Sequence, residues 1–261
     1  MGPGDIIGFS LTKRMAMSSE RRTDTLYSIP HEPLADFAFD AEVAAVFPDM
    51  IRRSVPGYGT LSGLLGLIAG EYAQAGSRLY DLGCSLGTAT LAMRRRISRP
   101  GCRIVAVDNS AAMVERCREN IEADQAPTPV EVVCADIRDT VIEQASVVAM
   151  NFTLQFIEPE QRLPLLRNVH QGLLPGGVLI LAEKLRFADA AEQAVQERLH
   201  LAFKRANGYS ELEISQKRAA LEKVLLPDTL DEHRRRLQAA GFSQVTPWFQ
   251  AFNFAAFLAV R

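Results

Sequence analysis

From residue 78 onward, short β-branched runs alternate with stretches whose apolar residues recur at helical spacing. That alternation restricts the chain to a parallel sheet with crossover helices. The strand runs are 78–82 (RLYDL), 103–107 (RIVAV), 130–134 (VEVVC), 146–151 (SVVAMN) and 178–183 (VLILAE). Between the first two, Leu86, Ala89, Met93 and Ile97 trace a helix stripe. Met113, Cys117 and Ile121 trace the next one, with Ser110 as its N-cap. A further helix runs from about Pro159 to Leu174, opened by a proline near its first position and closed by Pro175-Gly176-Gly177.

At the C-terminal end the pattern changes. Thr229 with Glu232 predicts a capping box for a helix that stops at Gly241. Two apolar runs follow, 242–250 and 252–260, close enough to pair as a hairpin at the sheet edge. Parallel strands plus that hairpin predict an α/β, Rossmann-like class I methyltransferase fold with a seven-stranded sheet and an antiparallel C-terminal hairpin; a six-stranded dinucleotide-binding sheet lacks the ending. Two segments fall outside this core. Residues 24–75 read as a helical cap broken at Val55-Pro56-Gly57-Tyr58, and 186–226 as a helical insertion where a lid would sit. Residues 21–261 are expected to form a single domain. Residues 1–20 are expected to be a disordered leader, in which Met15 and Met17 are alternative starts.

Composition agrees with a globular chain: 261 residues, 48% hydrophobic and 23% charged. A net charge of -2 provides no basic field, so neither direct nucleic-acid binding nor a membrane partner is expected. The runs Arg94-Arg95-Arg96 and Arg234-Arg235-Arg236 are expected to be solvated helix faces. Cys84, Cys102, Cys117 and Cys134 form no CxxC pair and lie in apolar segments, which predicts buried thiols of a reducing compartment and no metal site. The longest apolar runs, around 173–182 and 254–260, are too short to span a bilayer, so a cytoplasmic location is expected.

The chemistry concentrates after the first strand, in Asp81-Leu82-Gly83-Cys84-Ser85-Leu86-Gly87. Glycines here let the backbone turn tightly and approach a nucleotide-like ligand. The same residues satisfy the G-x-S-x-G pattern of a hydrolase elbow, but an elbow needs strands before it and Asp and His partners after it. His31, His170, His200 and His233 all fall in helical or leader segments. A nicotinamide pyrophosphate would meet the Asp81 carboxylate, which is unfavourable. S-adenosylmethionine offers an ammonium and a sulfonium that a carboxylate can neutralise. A turn with no ligand remains open for the loop taken alone. Asp108 ends the second strand, where a carboxylate can accept both ribose hydroxyls. Asp136 follows the third, placed to accept the adenine amino group while the Ile137 backbone reads the ring, and Asn151 ends the fourth. Either acid alone reads first as the carboxylate of its own helix N-terminus. Together, successive strand ends aiming polar groups into one crevice favour a ligand site.

Four segments are more specific: Val46–Met50 (VFPDM), Arg53–Tyr58 (RSVPGY), Asn151–Phe156 (NFTLQF) and Phe203–Arg218 (FKRANGYSELEISQKR). They resemble the carboxy-S-adenosyl-L-methionine synthase family, over a match from about Asp24 to Arg261. The resemblance implies conversion of S-adenosylmethionine and prephenate into carboxy-S-adenosylmethionine and phenylpyruvate. The product would pass to a carboxymethyltransferase that modifies a tRNA wobble uridine. It implies a homodimer and no metal. It also implies binding roles for Tyr58, Gly83, Cys84, Ser85, Asp108, Asn109, Asp136, Ile137, Asn151 and Arg218. In the implied chemistry prephenate loses CO2 and hydroxide, a base takes a proton from the sulfonium methyl, and the resulting carbanion attacks CO2. No side chain in the motifs is an obvious general base, so positioning and charge stabilisation would carry the rate. Tyr58 and Arg218 would orient the carboxylated arm. For Arg218 the residues add an argument. Ser210 and Glu213 predict a capping box, after which Ile214, Arg218, Leu221 and Leu225 share one face. An arginine there must be paired or snorkel, and its planar fork suits a carboxylate. An ordinary methyltransferase and a silent cofactor-binding module are the rival expectations.

Overall fold

The computed structural model describes residues 22–30 and 36–261, so the leader 1–20 and His31 lie outside the described residues. The expected strands form as β1 (Arg78–Leu82), β2 (Arg103–Asp108), β3 (Val130–Cys134), β4 (Ala145–Asn151) and β5 (Leu173–Lys184), followed by β6 (Gln244–Ala251) and β7 (Phe254–Val260). They make one seven-stranded sheet in the order β3-β2-β1-β4-β5-β7-β6. The first five are mutually parallel, and β7 runs antiparallel between β5 and the edge strand β6. Chain direction reverses its progress through the sheet at β1 and β4, which is where such sheets open a crevice at the carboxyl ends of their strands.

Helices cover both faces. In β4, Val147 and Ala149 point into one core with Leu65, Ala69, Ala89 and Met93, whereas Val148 and Met150 point into the other with Leu165, Val169 and Leu237. The period-2 alternation of a strand buried on both sides explains why this run is apolar throughout. The first face carries α2 (Tyr58–Tyr72) and α3 (Thr88–Arg94); the second carries α5 (Pro159–Gly172) and α8 (Leu230–Ala240). α4 (Ala111–Ala123) starts at Ser110, whose hydroxyl accepts the Met113 N–H, and α8 starts at the Thr229–Glu232 capping box and stops at Gly241. α3 is shorter than the apolar stripe suggested: Leu86 and Ile97 lie beyond its ends, and Leu86 packs instead with Met50 and Met113.

The helices of the cap and of the insertion touch each other, while residues 24–30 and 36–40 of the cap carry no helix. α1 (Ala41–Ser54) precedes α2, and α6 (Ala190–Ala206) and α7 (Glu211–Leu221) occupy the insertion. Arg53 of α1 joins them: its Nε donates to the Asn207 carbonyl at 2.7 Å, its Nη1 donates to the Asp24 carbonyl at 3.1 Å, and it stacks on the Tyr209 ring at 3.9 Å.

Two surface expectations need correction. Neither arginine run is wholly solvated: Arg94 donates to the carbonyls of Ile121 and Thr128, and Arg236 pairs with Asp228 at 2.5 Å. In each case one member of the run faces inward because orphan carbonyls or a carboxylate need a partner there. Cys134 is exposed, unlike the buried Cys84, Cys102 and Cys117, because it ends the outermost parallel strand.

Candidate active site

Successive strand ends place the predicted polar residues along one edge. Asp136 follows β3, Asp108 ends β2, Asp81 lies in β1, Asn151 ends β4 and Lys184 ends β5, with neighbouring strands about 4.8 Å apart. A cavity of about 420 Å³ opens against that edge and is lined by Tyr58, Gly83, Cys84, Ser85, Asp108, Asn109, Asp136, Ile137 and Asn151. Nine of the ten expected site residues are thus brought together.

The glycine loop is held tightly. The N–H groups of Gly83 and Cys84 both donate to the Val107 carbonyl, at 2.8 and 2.9 Å, which lashes the loop to β2. Gly83 sits at φ +82°, and a Cβ there would fall 2.3 Å from the Thr153 hydroxyl oxygen, so the loop can lie this close to the β4 end only as glycine. Ser85 and Phe152, both in the cavity wall, are non-glycine residues at positive φ (49° and 63°), strain of a kind that gathers at functional sites.

The acids differ in what they still have to offer. Asp108 accepts the Ser85 N–H on one oxygen at 2.8 Å and the Ser110 N–H on the other at 2.9 Å, leaving a lone pair on each. Burial raises its pKa against those two backbone donors. Asp81 is fully buried and holds Thr90 at 2.5 Å through Oδ2, but its Oδ1 has no partner. Burial pushes its pKa up to about 6, against the Thr90 bonds and helped by Asp108. Asn151 also has an unpartnered buried Oδ1. Two orphan acceptors facing a cavity are costly unless a ligand donates to them, and the ammonium of S-adenosylmethionine carries such donors. The residues present therefore fit that molecule. Asp136 is already engaged by Arg138, whose backbone N–H and Nε donate to Oδ1 at 2.8 and 2.9 Å and hold its pKa below the usual range. An adenine amino group would share the carboxylate with that arginine.

Arg218 is the exception. It is exposed and absent from the cavity wall; the buried residues of α7 are Glu213, Ile214, Lys217 and Ala220. The capping box at Ser210 and Glu213 forms as expected, but the helix is rotated so that Lys217 turns in. Lys217 donates to Asp24 at 3.2 Å, Ser54 at 3.2 Å and Tyr209 at 3.1 Å, and these partners select it over its neighbour. Arg218 stands close enough to the cavity's far end to lower the pKa of Lys184 and Lys204.

The far end of the cavity carries residues outside the ten expected for the site. Lys184, His200, Lys204 and Lys217 line it together with aromatic rings, among them Phe152 and Phe254. His200 donates from Nε2 to the Ser54 carbonyl at 2.8 Å, and burial with neighbouring lysines pushes its pKa down to about 3, so the ring is neutral. The sequence signal was the spacing of His200 and Lys204, four residues apart and so on one helix face.

Comparisons with known proteins agree with this geometry. A family described as a methyltransferase domain matches residues 79–177, from β1 into β5. The chain is similar to a carboxy-S-adenosyl-L-methionine synthase of Geobacter metallireducens, 59% identical over 92% of this chain and 99% of the relative. It is equally similar to one of Pseudomonas putida, 59% identical over 92% of this chain and 99% of that protein. Among solved structures, human N-acetylserotonin methyltransferase in complex with S-adenosylmethionine shares the fold, with a TM-score of 0.56 at 17% identity. The likeness covers 93% of this chain and 63% of the human protein's length. No described helix is long and apolar enough to cross a membrane, and no described cluster of His, Cys, Asp and Glu could hold a metal ion. A class I methyltransferase sheet and near full-length identity of this order leave one assignment: the chain belongs to the carboxy-S-adenosyl-L-methionine synthase family.

Proposed function

We propose that this protein makes carboxy-S-adenosylmethionine from S-adenosylmethionine and prephenate, releasing phenylpyruvate, in the cytoplasm. The observation that carries this reading is the division of charge within one cavity. Carboxylates with spare acceptors line one end and cations line the other. An ordinary methyl acceptor needs no cationic end, whereas a dianion does.

In this reading S-adenosylmethionine supplies a sulfonium methyl acidified by its positive sulfur. Asp108 receives the ribose hydroxyls, Ile137 and Asp136 border the adenine, and Asp81 with Asn151 holds the amino-acid arm. Tyr58, which stacks near Phe152 at 6.2 Å between ring centres, walls the methyl side. Cap and insertion both line the cavity, as one domain with the sheet, and would keep a released CO2 beside its acceptor. Arg218, at the rim, would extend its guanidinium fork onto the transferred carboxylate. The product would go to a tRNA-modifying carboxymethyltransferase. A homodimer belongs to the same reading, with the exposed apolar residues Val195, Leu199 and Leu212 of the insertion as candidates for its interface.

Incubation with both substrates should yield phenylpyruvate and a carboxylated sulfonium by mass spectrometry, and neither if prephenate is omitted. Methyl transfer to prephenate or to tRNA instead would overturn the reaction while leaving the fold untouched. For Arg218, the Ala variant should weaken carboxy-S-adenosylmethionine by about tenfold to a hundredfold and plain S-adenosylmethionine hardly at all. Equal weakening of both ligands in calorimetry would make Arg218 a support for α7, and no change would make it a solvated arginine.

A further inference from the structure

α6 is built inside out. Its only buried residues are His200 and Lys204, while Val195 and Leu199 on the same helix are exposed. An amphipathic helix turns its apolar stripe to the core and its charges to water. A lysine turned inward instead needs a partner.

Two of the three lysines at this end lack a bonded one. Lys217 has Asp24, Ser54 and Tyr209 within 3.2 Å, so its charge is accounted for by the fold. Lys204 is 9% exposed, and its ammonium has no hydrogen bond or ion pair among the described residues. Lys184 has Glu197 as a distant electrostatic partner and likewise no bond from its ammonium. Both face the cavity. Strand order and register fix where: Lys184 ends β5 two residues beyond Ala182, the partner of Asn151 on β4, and β5 lies roughly 10 Å across the sheet from the β1 strand that carries Asp81. The cationic end therefore begins where the amino-acid arm and sulfonium of the bound cofactor would finish.

The geometry points to Lys204, backed by Lys184, as the group that captures a carboxylate of the anionic co-substrate and presents it to the cofactor. This rests on the reaction assigned above, with prephenate as the dianion. A second lysine at the same end matches a second carboxylate, and the neutral His200 ring, edge-on to Phe254 at 5.0 Å, leaves an apolar shelf for a six-membered ring.

The free protein holds Lys204 in a sensitive state. Burial first, then Lys217, Lys184 and Arg218, pull its pKa down to about 7. The charged groups around it are these three cations, the neutral His200 on its own helix and Glu197 beside Lys184. A lowered ammonium pKa means that the cation is present below pH 7 and lost above it. Since kcat/KM reports ionisations of the free enzyme, its value for prephenate should fall as pH rises through this range.

The test compares wild type with Lys204→Met, Lys204→Arg and Lys184→Met. Prephenate affinity is measured by calorimetry, with S-adenosylhomocysteine filling the cofactor end so that nothing turns over, and KM and kcat are measured separately. Lys204→Met should fold with an unchanged or higher Tm, because it buries no unpaired charge. It should bind S-adenosylmethionine as wild type does and bind prephenate about tenfold to a hundredfold more weakly. Lys204→Arg should retain most of the affinity and flatten the alkaline fall in kcat/KM. Unchanged prephenate affinity in Lys204→Met, equal weakening of both ligands, or a loss confined to kcat would each overturn the assignment. A wild type that neither binds nor consumes prephenate would sink the reaction itself, and this inference with it.

Discussion

Asp108→Ala should weaken S-adenosylmethionine by about 30-fold to 1000-fold, the equivalent of roughly 2–4 kcal/mol, while the protein stays folded. Two losses combine. The variant would remove the charge-assisted acceptor pair proposed for ribose, and it frees the Ser85 and Ser110 N–H groups that the carboxylate holds at 2.8 and 2.9 Å. The glycine loop is still lashed to Val107 through Gly83 and Cys84, so it should loosen without collapsing. Asp108→Asn, which keeps an acceptor but no charge, should fall between the two. Calorimetry decides: equal affinity for Asp108→Ala and wild type would remove Asp108 from the ribose role.

Asp228→Ala should cost about 3–5 kcal/mol of stability, because it strands a buried charge. Arg162 is the largest fully buried side chain in the molecule's described part, and its Nη1 pairs with Asp228 at 2.5 Å, as does Nη1 of Arg236. Arg162 also donates to the carbonyls of Ile157 and Leu226, both at 2.8 Å, tying α5 to the chain leaving the insertion. For a chain of this size the expected fall in Tm is roughly 6–20 °C. The pH dependence follows from the same pair. Burial alone would raise the Asp228 pKa, but Arg236 and Arg162 outweigh it and hold it below the ordinary carboxylate value. A depressed carboxylate stabilises the fold above its unfolded pKa of about 4, and that contribution disappears as pH falls through the folded value. Wild type should therefore lose its advantage over Asp228→Ala in acid. Melts that differ by only about a degree at neutral pH would show that Arg162 is satisfied by carbonyls alone.

The knot at Arg162 reaches the cavity. The Leu226 N–H donates to the Gln155 carbonyl at 2.9 Å, the Gln155 side chain accepts the Lys184 N–H at 3.0 Å, and Glu183 accepts the N–H groups of Leu154 and Gln155. Burial pushes Glu183 up to about 8, against those backbone donors. Such a network fixes where the cationic end begins without touching a ligand.

The amino-acid sequence by itself determined the sheet and the acidic half of the site. Asp81, Asp108, Asp136 and Asn151 lie in or next to apolar strand runs, and parallel strands joined by crossover helices must present all their carboxyl ends on one edge. Local signals were equally direct where the physics is local: the caps at Ser110, Ser210 and Thr229 satisfy orphan N–H groups within their own turn. Only the tertiary structure decided the cationic half. A capping box sets where α7 starts but not its rotation about its axis, and successive residues on a helix differ by about 100°. Asp24 and Ser54, far away in the chain, turned Lys217 inward and left Arg218 exposed. Lys184 and Lys204 meet because β5 and α6 pack around one cavity, a juxtaposition that periodicity within either element cannot encode.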